Sequence, residues 1–190
     1  MKTLQDHIQD SITKISPNCT PEEKKDYENI FNRLFQDGLS LSEAVGLTPE
    51  ILENLYAYGY RLYNNGNYKS AALIFSFLTT LNPEIPKYFL SLGACYHMQK
   101  EYVPAINNYM SAFYLNMIDP LPFYYISDCY IKMNKIDYAA FALGLVMQLA
   151  SKDPKYSKIK ERAQLIQDAL GKQIEAQKQK SRQVEESKRT

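Results

Sequence analysis

Three stretches of this chain can be written one above another without a gap. AYGYRLYNNGNYKSA at 57–71, SLGACYHMQKEYVPA at 91–105 and YISDCYIKMNKIDYA at 125–139 lie at successive offsets of 34 residues. A fixed period of this size constrains the fold more than composition can, because each unit must present the same faces to the units before and after it. Gly59, Gly93 and Ser127 coincide, a small residue where two helices must approach closely. Leu62, Tyr96 and Tyr130 coincide, as do Ala71, Ala105 and Ala139. Phe75, Tyr109 and Leu143 follow four residues on, and Leu78, Ala112 and Val146 three beyond those.

Each copy reads as two antiparallel helices. Leu55, Tyr58, Gly59 and Leu62 share one face at helical spacing. Asn64-Asn65-Gly66-Asn67 then interrupts the helix with residues that tolerate left-handed backbone. A second helix restarts near Tyr68, carries Ala71, Phe75 and Leu78 on one face, and stops at Asn82-Pro83. Pro104 falls in the first turn of its helix, where the missing N–H costs little. Phe89-x2-Leu92-Gly93-x2-Tyr96, Ala105-x3-Tyr109 and Asn82-Pro83 match the tetratricopeptide signature. The fold class expected is therefore all-α: three tandem tetratricopeptide repeats, at 52–85, 86–119 and 120–153, forming a curved solenoid.

The repeat also explains two cysteines. Cys95 and Cys129 are one position of successive units, where small apolar side chains pack. A metal site would need further ligands, and the close histidine is the lone His97. With Cys19 they form no CxxC pair, which fits a reducing compartment better than a disulfide framework.

Both flanks are helical. Thr20-Pro21-Glu22-Glu23 is a capping box with proline at the first helical position. Tyr27, Ile30, Phe31, Leu34 and Phe35 then form an apolar stripe, ended by Asp37-Gly38. That stripe either caps the first repeat or builds a homodimer interface, and it belongs to an N-terminal arm over 1–50. Asp153-Pro154 opens a last helix over 154–171, with Ile159, Ala163, Ile166 and Leu170 on one side to cover the open end of the solenoid. Residues 172–190, nearly without apolar side chains, read as a solvated, unstructured tail carrying Lys172, Lys178, Lys180, Arg182, Lys188 and Arg189.

Several functions are set aside by what is missing. A net charge of +1 gives no global footprint for nucleic acid. The N-terminal MKTLQDHIQDSI carries charges where a signal peptide needs its apolar core, and YAAFALGLVMQLA at 138–150 is too short to span a bilayer. There is no glycine-rich phosphate loop, HExxH or GxSxG, and His7 and His97 lie in unrelated segments. The expectation is a cytoplasmic protein without catalysis, cofactor or metal, which binds no nucleic acid and does not insert directly into a membrane.

What remains is a groove. The first helix of each repeat lines the inner side of such a solenoid. One turn from the packing residues lie Tyr56, Tyr60 and Tyr63, then Leu90, Ala94 and His97, then Tyr124, Asp128 and Ile131. Part of the tyrosine excess, 16 residues in all, thus has a location. Tyrosine offers an apolar face with a polar tip, suited to a surface that stays hydrated when empty. Repeats that clamp a C-terminal carboxylate need cations inside, but the corresponding positions are Tyr56, Tyr60, Ser91, Leu121 and Tyr125. The groove should instead take an extended segment with a few aliphatic or proline anchors.

In this order the chain resembles the class II chaperones of bacterial type III secretion. The resemblance covers about residues 27–150 and rests on LENLYAYGYRLYNNGNYKSAALIF at 52–75 and YFLSLGACYHM at 88–98. FLSLGAC is its most specific part. It implies a cytosolic chaperone that keeps hydrophobic translocators soluble before export, with a client segment lying in the concave groove. It also implies groove contacts at Tyr56, Tyr63, Tyr68, Leu81, Phe89 and Tyr109, and it favours homodimerisation through the N-terminal helix. The alternative is a general tetratricopeptide scaffold joining two soluble proteins.

Overall fold

The computed structural model describes residues 3–15, 17–18 and 20–187, with side chains for all of these except 4, 5, 15 and 176–187. Cys19, Lys188 and Arg189 lie outside the described residues, as do the side chains of Lys178, Lys180 and Arg182.

Ten α-helices follow one another among the described residues: α1 (Leu4–Ile15), α2 (Pro21–Phe35), α3 (Leu41–Ala44), α4 (Pro49–Asn64), α5 (Tyr68–Leu81), α6 (Pro86–Met98), α7 (Tyr102–Leu115), α8 (Leu121–Lys132), α9 (Ile136–Ala150) and α10 (Ser157–Ser187). The pairs α4–α5, α6–α7 and α8–α9 are the three repeats, each packed on the next into a curved solenoid that α10 closes at its C-terminal end. The period is visible in the backbone. Gly66, Lys100 and Asn134, at the same place in successive units, all have left-handed backbone, with φ of 76°, 64° and 57°. At each turn the next residue (Asn67, Glu101 or Lys135) donates its N–H back across the turn to the carbonyl of Leu62, Tyr96 or Tyr130, at 2.9 Å each time. This closure satisfies carbonyls that the ending helix leaves unpaired.

The small residues of the repeat sit where the helices touch. A Cβ on Gly93 would come within 2.7 Å of the Tyr109 ring, and one on Gly59 within 3.0 Å of Phe75. Ser127, at the same position of the third repeat, is buried and donates its hydroxyl to the Tyr124 carbonyl at 2.7 Å. Ala71, Ala105 and Ala139 are completely covered, and Phe75, Leu78, Leu143 and Val146 form the layers between helices. Cys95 and Cys129 are buried in these layers, and burial pushes each thiol up to about 12. They pack as small apolar side chains and hold almost no thiolate near neutral pH.

Two features at the ends differ from the sequence expectation. The N-terminal arm contains two principal helices where one was expected. α1 starts on a Thr3–Asp6 box, in which the Thr3 N–H reaches Asp6 Oδ2 at 2.7 Å. It packs along α2 and buries Ile8 and Ile12, one turn apart. At the other end α10 continues as a single helix through Ser187, instead of stopping at Gly171. Gly171 has open space around its Cα, so it costs only the usual helix penalty of about 1 kcal/mol. The lysines, glutamines, glutamates and alanine that follow are all good helix formers. Low hydrophobicity removes a reason to pack, but not the propensity to be helical.

Candidate binding groove

α4, α6 and α8 place their inward side chains around two adjoining cavities. The first, of about 260 Å³, is lined by Tyr56, Tyr60, Tyr63, Phe75, Leu90, Ser91, Ala94 and Tyr125. The second, of about 370 Å³, adds His97, Tyr109, Tyr124, Asp128 and Ile131, with Ile166 reaching over from α10. Tyr63, Ala94 and Tyr125 belong to both, so the two form one continuous groove.

The walls are held by contacts between repeats. Tyr56 Oη and Ser91 Oγ share a hydrogen bond of 3.2 Å, and the Tyr56 ring packs against Phe75 and Tyr88. Lys87 Nζ lies 4.5 Å from the centre of that ring and pairs with Glu53 at 2.5 Å, a link between aligned positions of the first two repeats. That ammonium is thus paired with a carboxylate, and no lysine or arginine lines either cavity. Tyr109 and Tyr125 stack at 5.3 Å. Burial raises the pKa of Tyr63, Tyr109 and Tyr125 above the ordinary tyrosine value, so all three keep neutral hydroxyls.

The polar centre is in the second cavity. The His97 ring meets Asp128 Oδ2 at 2.9 Å through Nε2. Its Nδ1 lies 3.4 Å from the Tyr109 hydroxyl, which donates to it in the neutral ring. The hydrogen bond from His97 is the main reason the Asp128 carboxyl lies below its usual range, against an opposing effect of burial. The groove can thus cover apolar side chains along most of its length and offers a fixed anion near one end.

Of the groove residues anticipated in the sequence, Tyr56, Tyr60, Tyr63, Leu90, Ala94, His97, Tyr109, Tyr124, Asp128 and Ile131 line the cavities. Tyr109 does so from α7, as a nearly buried wall between repeats. The other three are placed differently. Leu81 is 3% exposed and belongs to the core under α5 and α6. Phe89 is half-buried and lines neither cavity. Tyr68 meets the edge of Tyr63 at 5.3 Å and lines a separate hollow at the α4–α5 turn. Its influence on the groove passes through Tyr63. Phe75 and Ile166 were not anticipated as lining, because each comes from a helix whose regular positions face the core or a neighbouring helix.

Of the N-terminal stripe, Phe35 is 63% exposed and stacks on Phe31, Tyr27 is exposed, and Ile30 and Leu34 are half-buried. α2 packs against α1 and α3, while α4 packs against α5 and α6. Capping of the first repeat by α2 is therefore not the arrangement seen.

A concave aromatic groove inside three such units defines a tetratricopeptide-repeat binding protein, and the tetratricopeptide-repeat profile matches residues 52–84. The chain resembles chaperones of type III secretion. It is similar to the low calcium response locus protein H of Yersinia pseudotuberculosis, with 22% identity over 146 residues, 77% of this chain and 87% of that one. It is 29% identical over 110 residues to the chaperone protein SicA of Salmonella dublin, covering 58% of this chain and 67% of that one. Among solved structures it resembles PcrH of Pseudomonas aeruginosa in complex with the chaperone-binding region of PopD. That match has a TM-score of 0.65 and 27% identity, over 68% of this chain and 97% of that one. No described helix is long and apolar enough to cross a membrane.

Proposed function

We propose that the protein is a non-catalytic chaperone of type III secretion, working in the bacterial cytosol. Its concave groove receives an extended segment of a hydrophobic translocator and keeps that protein soluble until export. The observation that carries this reading is the pair of continuous aromatic cavities on α4, α6 and α8, which lacks the cations a carboxylate clamp needs. The PcrH structure supports it, since that protein, of similar fold, is in complex with the chaperone-binding region of PopD. Two or three aliphatic anchors at about 1.5–3 kcal/mol each must offset an association cost of several kcal/mol. A short segment alone therefore binds weakly.

The test is coexpression with a translocator that is insoluble alone. The parent chaperone should bring it into the soluble fraction. Tyr63→Ala and Tyr56→Ala should remain folded and recover less client, because each removes a wall shared with a neighbouring repeat. Full recovery by both variants would place the client elsewhere. A general scaffold for soluble partners would leave the translocator insoluble with every variant. Self-association through the exposed side of α2 is the second part of the proposal, supported by the exposure of Phe35 and Tyr27.

A further inference from the structure

The two halves of the groove differ in charge. Every side chain around the first cavity is neutral, and the only groups with polar tips there are tyrosines and Ser91. The second cavity contains Asp128, whose side chain is 44% exposed. A carboxylate can accept about four hydrogen bonds, and the partner the structure gives Asp128 is the His97 ring. Lys132, one turn further along α8, lies near enough to act on it through charge without an ion pair.

Asp128 is also held in place. His97 is itself clamped, edge-on to Tyr102 at 5.8 Å and to Tyr109 at 6.3 Å. The pair joins α6 to α8, so the carboxylate is positioned by two repeats and not by one flexible side chain. Around it stand the Tyr124 ring and the aliphatic Ile131 and Ile166. A fixed anion beside an aromatic face and an aliphatic wall complements one kind of side chain: a long apolar stem with a cationic head. Arginine fits best, because its planar fork can meet a carboxylate and stack on a ring together.

We propose that the second cavity is a cation subsite, taking an arginine of the bound client segment while the first cavity takes an aliphatic anchor. This rests on the groove reading above and adds the chemistry and spacing of the client. Neighbouring helices pack about 8–10 Å apart, and extended chain advances about 3.3 Å per residue. The arginine and the aliphatic anchor are therefore separated by about three residues. The acidic subsite also gives the groove a direction, since a reversed segment would carry its cation to the neutral end.

The experiment uses fluorescein-labelled synthetic peptides with the full-length protein. Each has an alanine–proline–serine host, two leucine anchors and, three residues from the nearer leucine, arginine, its uncharged isostere citrulline, or glutamate. In fluorescence polarisation at low salt, the arginine peptide should bind about fivefold tighter than the citrulline peptide, and the glutamate peptide weakest. The preference should shrink at high salt. In Asp128→Asn the arginine-to-citrulline preference should fall within twofold. Equal binding of arginine and citrulline by the parent, with both weakened by Tyr63→Ala, would sink the subsite and leave the groove standing. Peptides that bind without any response to Tyr63→Ala, or fail to bind at all, would overturn the groove reading and the subsite with it. Should Asp128→Asn misfold, the arginine-to-citrulline ratio in the parent still decides.

Discussion

Gly93 and Gly144 show how differently one residue type can act in the same helical array. Gly93 lies where α6 meets α7, and an added methyl would meet two ring carbons of Tyr109, at 2.7 and 2.8 Å. Tyr109 cannot yield easily, being 1% exposed and stacked on Tyr125. Gly93→Ala should destabilise the protein by about 1–3 kcal/mol through overpacking. Gly144 lies within α9 with nothing within 4 Å of the same methyl. Gly144→Ala should stabilise it by about 0.5–1 kcal/mol, chiefly by restricting the unfolded chain. Urea unfolding midpoints measure both, and equal shifts in one direction would contradict the packing described for α6 and α7.

At the scale of elements, the turns between paired helices repeat one backbone solution with three different residues. Glycine adopts the left-handed conformation freely at 66, asparagine tolerates it at 134, and Lys100 holds it at φ 64° with no such advantage. Lys100→Gly should therefore raise stability, by up to about 1 kcal/mol, read as a higher thermal midpoint with unchanged helicity. The N-terminal hairpin poses a different question. α1 covers part of α2 by burying Ile8 and Ile12, while Phe35 remains largely open. If that face joins two copies, Phe35→Asp should shift the mass measured by light scattering from dimer to monomer, with the circular dichroism of the solenoid unchanged. A monomeric parent would remove this role for α2.

For the whole molecule, the consequence of stacking is that each end must be finished. Leu143, Val146, Ala163 and Leu170 form one buried cluster between α9 and α10, so the first half of α10 is part of the core. Helix beyond that cluster extends away from it: α10 has 31 residues, about 46 Å at 1.5 Å per residue. Ending the chain after residue 156 should expose the third repeat and yield aggregated or markedly less stable protein. Ending it after residue 175 should leave the thermal midpoint within a few degrees of the parent. Loss of the fold on the shorter deletion would show that the outer part of α10 also contributes to packing.

The sequence by itself determined the repeat, the helix pairs, the left-handed turns and the helices that carry the groove. All of these follow from a 34-residue period and the local preferences of glycine, asparagine, proline and alanine. It also placed tyrosines rather than cations along the inner helices. Tertiary structure alone decided which of those side chains meet. Ile166 reaches the groove from α10, and Phe75 closes it from a second helix, because curvature brings distant segments to one surface. Leu81 went to the core and Phe89 away from both cavities, since membership of a helix does not fix where its side chains point once neighbours compete for the same space. The His97–Asp128 pair joins residues 31 positions apart on different repeats. No local rule names such a pair, because it exists only when two helices stack at the right distance.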